Sequence, residues 1–427
     1  MPITIERFNS NFEREPLEHP FGFKGGFISE VWQTVALLES PGGAQGIGLG
    51  TQSVLWSDSR VFGAHSENGG NAVMYAITDE ALRLAKEQSF ETPIDLLDRL
   101  FEPVYDYARA ITGRPDLRET FVLNALVAVD NAAWMLYSAE NGLSDFDALV
   151  PERFKSGLSH RHARVASVPT FGYGSSIANL EKAVGEGYYI MKIKVGHPGS
   201  QQEMLEKDKE WLSAIHNVLG SLETDYTETG RVPYYLDANG RYESKEAVLR
   251  LLDHARAIGA YDHILILEEP FPEDFEASVA DLGVNVAADE SAHTDADVLE
   301  RIQMGYGSIA LKPIAKTLSM TMKMAGLAEE HGIPCFCADL TVNPILVDWN
   351  KLVAARLAPL PGLQTGLMET NGHQNYARWR EMEQHHPCPD APWRRAVNGV
   401  FELDDDYYAR SGCIFDRSSH YSGLVLN

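Results

Sequence analysis

Cysteine is scarce in this chain, and the four present, Cys335, Cys337, Cys388 and Cys413, all fall in its last quarter. So few thiols, so late, do not make a disulfide framework, and in a reducing cytosol they are expected to stay free. Cys335 and Cys337 stand two apart and share a face on a strand, but with no second pair at suitable spacing they do not make a zinc site. Basic charge is scarce too: Lys plus Arg number 36 against 61 Asp plus Glu, a formal net charge of -25. A surface of that sign repels phosphate backbones and anionic membranes, which excludes nucleic acid and a membrane as partners. Short clusters such as Asp404-Asp405-Asp406 read as solvated surface. An anionic substrate would therefore need a site with its own local positive field. Long apolar runs are missing: nowhere do eighteen uncharged apolar residues follow one another, and Met1 to Glu6 shows no basic segment leading into an apolar one. A cytoplasmic location is the expectation. No sequence repeat or low-complexity tract is present.

What is there suits a large folded protein. With 427 residues, 44% hydrophobic and 23% charged, the chain can bury a sizeable core and divide into more than one domain. The first 150 residues read as an α+β unit. Val31 to Leu38 is strand-like, Gly42 to Gly50 is a glycine-rich loop, and a second polar loop runs to about Asn71. Thr92-Pro93 opens a helix, and Phe121 to Asn141 forms a long apolar one closed at Gly142. From about Val165 short apolar runs alternate with amphipathic stretches. The eight runs are Ala166 to Gly172, Tyr189 to Val195, Tyr234 to Ala238, Ile264 to Glu268, Val284 to Ala288, Ser308 to Lys312, Pro334 to Ala338 and Gln364 to Met368. With helices such as 177–186, 245–258 and 319–331 between them, the fold class is α/β, a (β/α)8-type barrel over residues 151–370. Residues 371–427 break the pattern and are expected to pack back on the first unit.

In such a barrel the chemistry sits at the C-terminal strand ends. Run two ends in Lys192-Ile193-Lys194, run three in Asp237-Ala238-Asn239, run four in Glu268-Glu269-Pro270, run five in Asp289-Glu290-Ser291 and run six in Lys312-Pro313. Three neighbouring strands thus bring carboxylates to one point, a repulsive cluster that a hard divalent ion would relieve; Mg2+ favours such oxygen ligands. Lys194 and Lys312, four strands apart, should face each other across the ring. Lys192 and Lys194 share a strand face, and their repulsion is expected to lower the proton affinity of one, making a base. A salt bridge from Lys192 to the carboxylates is the alternative. Gly46 to Gly50 lacks the spacing and following helix of a dinucleotide loop, and His385-His386-Pro387-Cys388 looks metal-like without a partner cluster.

Met191-Lys192-Ile193-Lys194, Leu236-Asp237-Ala238-Asn239, Leu267-Glu268-Glu269-Pro270, Ala288-Asp289-Glu290-Ser291 and Ala310-Leu311-Lys312, in that order, resemble the motifs of the enolase superfamily. The resemblance is to its mandelate racemase and muconate lactonizing enzyme branch, in the two-lysine subgroup, because no histidine marks the seventh strand. It implies an N-terminal capping domain with lids over the barrel mouth, at Pro20 to Ile28 and Gly42 to Gly70, where Phe21, Phe23 and Trp56 are candidate substrate contacts. It implies one Mg2+ on Asp237, Glu268 and Asp289, with Glu290 competing as the third ligand, and Lys194 and Lys312 as facing acid and base. It also implies abstraction of the proton beside a substrate carboxylate through a metal-stabilised enediolate. Lys192, Asn239, Glu290, Asp339 and Glu369 are the candidate substrate contacts; the Asp-x-Asp pattern of the subgroup's dipeptide epimerases is replaced by Leu367-Met368-Glu369-Thr370-Asn371. Racemisation, epimerisation or cycloisomerisation is implied, with dehydration of a hydroxy or sugar acid as the alternative and a non-catalytic acid-binding barrel as the rival of another class. The family also implies a homo-oligomer.

Overall fold

The computed structural model describes residues 2–23 and 26–426; the side chain of Phe23 lies outside the described residues. A long antiparallel hairpin, Arg7–Phe23 with Gly26–Glu39, pairs onward with Gln45–Gln52 to make a three-stranded sheet. Helices Ser59–Lys86 and Glu119–Asn141 pack against it, and Pro93–Thr112 packs on those two helices. Thr92 caps Pro93–Thr112 by accepting from the Asp95 amide, and Gly142 closes Glu119–Asn141 in the left-handed conformation, as expected. Glu119–Asn141 is the one helix among the described residues long and apolar enough to cross a membrane, and it is mostly buried inside the protein.

The glycine-rich stretch corrects the expectation of a loop at Gly42 to Gly50. Gln45–Gln52 is a strand, and its glycines let it lie flat on Glu119–Asn141: a Cβ at Gly46 would stand 2.0 Å from the Ala132 carbonyl oxygen, and one at Gly48 2.1 Å from that of Ala128. The second polar loop is also absent, because residues 59–86 are helical with a break at Ser66.

All eight barrel runs are strands. In spatial order the sheet runs Val400–Glu402, Arg164–Val168, Gly366–Glu369, Cys335–Cys337, Ser308–Leu311, Val286–Ala288, Ile264–Glu268, Tyr234–Asp237, Met191–Lys194 and Thr170–Phe171. Every pairing is parallel except that of Val400–Glu402 on Arg164–Val168. Only Pro169 separates Arg164–Val168 from Thr170–Phe171, so the sheet curls until one interrupted strand touches both the second strand and the eighth. Its interior is filled by large side chains, Tyr235 and Phe336 edge to face, among small ones, Ala166, Ala287 and Ala310.

The C-terminal stretch returns to the N-terminal sheet. Asn9 and Asn11 donate to the carbonyls of Val425 and Leu424, and Arg378 pairs with Glu15. Cys388 and Cys413 form a disulfide, which corrects the expectation of four free thiols; Cys335 and Cys337 are free and buried. The two bridging cysteines lie 25 residues apart, and only the folding of this segment brings them together.

Candidate active site

Side chains on a strand alternate between faces, so residues two beyond those filling the barrel point upward into its mouth. Ile190, Tyr235, Ile266, Ala287, Ala310 and Leu367 belong to the interior cluster. Two steps on stand Lys192, Asp237, Glu268, Asp289, Lys312 and Glu369. Register aligns them: Lys194 is level with Asp237, and Asp237 with Glu268. Glu269 and Glu290 are out of phase with this set. Asn239 and Glu269, just past the third and fourth strands, both have positive φ, the kind of strained backbone that gathers at functional sites.

The lysines and carboxylates interlock. Lys192 Nζ lies 2.9 Å from Asp237 Oδ2, 2.8 Å from Glu268 Oε1 and 3.1 Å from Glu369 Oε2. Lys194 Nζ donates to Asp237 Oδ2 at 2.5 Å and Asn239 Oδ1 at 2.7 Å, and Lys312 Nζ to Asp289 Oδ2 at 2.6 Å. Burial works against each charge, but the neighbours prevail at several. Lys192 and Lys194 hold Asp237 below the ordinary carboxylate range, and Lys312 and Lys316 do the same for Asp289. Burial and then Asp237 push Glu268 well up. Burial opposes the Lys192 ammonium, yet Asp237, Glu268 and Glu369 raise its proton affinity well above that of an ordinary lysine. The expected depression by Lys194 is therefore not found at Lys192: three carboxylates outweigh one like charge.

Glu268, Asp289 and Glu290 each present an oxygen within 4.8 Å of the others, and Asp289 Oδ1 and Glu290 Oε2 are buried without hydrogen-bond partners. A buried, mutually repelling, all-oxygen donor set of this kind fits Mg2+. Asp237 stands beside it, its oxygens engaged by Lys192, Lys194 and the Asn239 amide. Asn239 also donates to Glu290 Oε1 at 2.8 Å.

A cavity of about 60 Å³ opens over this cluster, lined by Lys192, Lys194, Lys312, Asp289 and Asn239 from the barrel. Asp339 and Glu369 line it as well, whereas Glu290, Asp237 and Glu268 do not. Burial and the nearby Glu369 push the Asp339 carboxyl up to about 7. Glu369, buried as well, is held below the ordinary range by Lys192. Phe21, Ile28 and Trp56 roof the cavity from the N-terminal unit.

Several residues of the site carry no motif in the sequence. Tyr235 donates to Glu268 Oε2 from one layer down, and only its place two before Asp237 on an alternating strand hints at this. Lys316 is fully buried and donates to the carbonyls of Asp289 at 2.8 Å and Ala292 at 2.7 Å. Thr170 donates to Glu369 Oε1 at 2.7 Å from the first strand. Arg118 bridges the two units: it donates to the carbonyls of Trp56 and Ser57 and to that of Glu290.

Residues 176–361 match the family model described as enolase C-terminal domain-like. No curated protein matches the sequence. Among solved structures, a mandelate racemase/muconate lactonizing protein from Herpetosiphon aurantiacus is similar at 16% identity and a TM-score of 0.66, over 95% of this chain and 97% of that one. The L-Ala-D/L-Glu epimerase from Bacillus subtilis is 17% identical, with a TM-score of 0.63 over 86% of this chain and 89% of its own. The L-talarate dehydratase from a Polaromonas species, solved with Mg and L-glucarate, is 18% identical, with a TM-score of 0.62 over 94% and 92%. Residues 176–361 thus resemble an enolase C-terminal domain, and the chain shares its fold with these solved structures.

Proposed function

We propose that this chain is an enzyme of the mandelate racemase/muconate lactonizing kind, in a two-lysine subgroup, that removes the proton beside a substrate carboxylate. The observation that carries the reading is that Lys194 and Lys312, from the second and sixth strands, line one cavity with buried carboxylates between them. Asp237, Glu268 and Asp289 would hold one Mg2+. Asp289 shares the phase of the mouth-facing residues and lines the cavity, while Glu290, out of phase but in one oxygen cluster with Glu268 and Asp289, is the competing ligand. When bound, the ion supplies positive charge opposite the substrate carboxylate and so lowers the cost of the enediolate.

The chain's own groups do the rest. Nζ of one lysine, uncharged, takes the α-proton; Nζ of the other, charged, can deliver one to the opposite face. That arrangement suits racemisation, epimerisation or cycloisomerisation. Lys192, its charge held by three carboxylates, would orient the substrate carboxylate. Asn239, Asp339 and Glu369 would meet its polar substituents, and Phe21, Ile28 and Trp56 would exclude water. Loss of water from a hydroxy or sugar acid is the second reading, supported by the likeness to a dehydratase fold. A barrel that binds small acids without turnover is the rival of another class. The same proposal takes residues 1–150 as cap, 151–370 as barrel and 371–427 as a returning segment, with a homo-oligomeric assembly. A cytoplasmic location belongs to it too, and the Cys388–Cys413 disulfide is the feature that argues against that location, since reducing compartments keep such pairs open.

The test is incubation with Mg2+ and a set of carboxylic acids in D2O, followed by NMR. Exchange of an α-proton for deuterium is expected with at least one acid. Mg2+ binding without exchange in any of them would favour the binding barrel.

A further inference from the structure

His385 stands in the metal-like stretch that, in sequence, has no partner cluster. Folding supplies one. We propose that Glu13, His385 and His420 form a second metal site, for a divalent transition-metal ion of the Zn2+ type, on the seam between the strand Arg7–Phe23 and the returning C-terminal segment. Each of the three offers one donor atom, and these lie within 4.8 Å of one another. None of them lines the cavity over the barrel.

Two imidazole nitrogens and a carboxylate oxygen are a donor set for Zn2+ and its first-row neighbours, whereas Mg2+ prefers oxygen alone. Donor chemistry therefore separates this cluster from the one at the barrel mouth. The site also has unspent capacity. His385 Nδ1 is buried with no hydrogen-bond partner, and Glu13 Oε1, also buried, makes no well-formed hydrogen bond although the carboxylate faces the Tyr421 hydroxyl. The second Glu13 oxygen already meets His420 Nε2 at 2.7 Å.

The imidazole rings of His385 and His420 stack with centroids 3.6 Å apart and planes 8° from parallel. The two ring planes are thus nearly parallel, and one ring must turn about its soft Cβ–Cγ bond for a nitrogen of each to meet one ion. Neighbours hold the pair in place: Tyr421 packs edge-on against both rings, and Ser418 Oγ donates to the His385 carbonyl at 2.6 Å. The side chains of Glu13 and His420 keep 19% and 34% of their exposure, enough for an ion to enter from solvent. Such an ion would tie residue 13 to residues 385 and 420 and so clasp the chain's two distant ends.

The experiment uses the full chain, stripped by chelator, with no reductant so that Cys388 and Cys413 stay paired, and with saturating Mg2+ to occupy the barrel mouth. Zn2+ uptake is measured by equilibrium dialysis, Co2+ uptake by its visible absorption, and thermal unfolding with and without Zn2+. One Zn2+ per chain is expected with a Kd of about 1 µM or tighter, together with a higher Tm. His385→Ala and His420→Ala should each weaken that binding about 100-fold, and Glu13→Gln, which keeps shape and both rings, about 10-fold or more. No Zn2+ uptake by the wild-type chain, or uptake and Tm shift unchanged in Glu13→Gln and in whichever histidine variant folds, would overturn the proposal.

Discussion

The Lys312 ammonium lies 4.2 Å from the centre of the Trp56 ring, while its Nζ donates to Asp289 Oδ2 at 2.6 Å. One contact comes from the N-terminal unit and the other from the barrel, so the roof of the cavity and the proposed acid or base are fastened to each other. A cation on an aromatic face is worth about 0.5–2 kcal/mol, more as water is excluded. Trp56→Phe keeps the face and should stay within about threefold of wild-type kcat/KM. Trp56→Leu keeps bulk without a face and should lose about 5- to 30-fold, the kinetic equivalent of 1–2 kcal/mol. Steady-state kinetics on both variants decides it; a leucine variant as active as wild type would leave the ring no role at Lys312.

Lys194→Ala and Lys312→Ala should each lower turnover by about 100-fold or more, the usual worth of a general acid or base. Metal affinity should hold or rise, because each change withdraws an ammonium from a proposed ligand, Asp237 at 2.5 Å or Asp289 at 2.6 Å. Calorimetric titration with Mg2+ alongside D2O exchange reads both quantities. A variant that still exchanges the proton of one enantiomer only would assign its remaining lysine to a face. High activity in either variant would rule out the two-lysine mechanism.

Asp130, on the long core helix, accepts from the Ser319 amide at 3.0 Å and hydroxyl at 2.5 Å, yet burial pushes its carboxyl up to about 7 from an ordinary 3.8. Between those values the unfolded chain has released the proton and the folded one has kept it. Stability must therefore fall as pH rises through this window and level off above it, by roughly 4 kcal/mol for this group. Asp130→Asn removes the effect, and the Ser319 hydroxyl can turn to suit the amide. Urea unfolding of both proteins from pH 4 to 8 should show the balance moving in the variant's favour by roughly 3–4 kcal/mol. A constant difference across that range would mean the carboxyl is not the group that titrates.

Much of the barrel is legible in the sequence because its signal is local. Polar residues at the C-terminal end of each apolar run are enough to bring Lys192, Asp237, Glu268, Asp289 and Lys312 to one end of the barrel. Tyr235 and Lys316 escape notice because their partners, Glu268 and the carbonyls of Asp289 and Ala292, come from other βα units. Gln45–Gln52 reads as a loop because its glycines match a turn composition. Their reason is a helix backbone lying against them, which no window of sequence contains. Glu13, His385 and His420 show the same limit over a longer reach: their grouping exists only once the C-terminal stretch has returned to the first strands.

The disulfide can be counted chemically. Protein denatured without reductant should show two reactive thiols, Cys335 and Cys337, and four after reduction. Opening the bridge across its 25-residue separation should cost about 2–4 kcal/mol of stability, seen as a lower urea midpoint in reducing buffer. Four thiols without reductant, in protein purified under air, would show that the pair does not close.

The seat of Gln45–Gln52 on the core helix makes the sharpest stability prediction. A Cβ at Gly48 would stand 2.1 Å from the Ala128 carbonyl oxygen and 2.2 Å from the Ala132 nitrogen. Both are backbone atoms of Glu119–Asn141, so no side chain can turn aside; the whole helix or strand must move. Overpacking costs about 1–3 kcal/mol where side chains can give, and Gly48→Ala should exceed that, at about 3 kcal/mol or more. Gly63, inside the helix Ser59–Lys86, meets nothing within 4 Å of a built Cβ. There alanine restores helix propensity, and Gly63→Ala should gain about 0.5–1 kcal/mol. Urea unfolding of the two variants tests one contact against one open position. A Gly48→Ala protein that loses less than about 1 kcal/mol would mean that strand and helix do not pack this closely, since no smaller rearrangement clears a carbonyl oxygen at that distance.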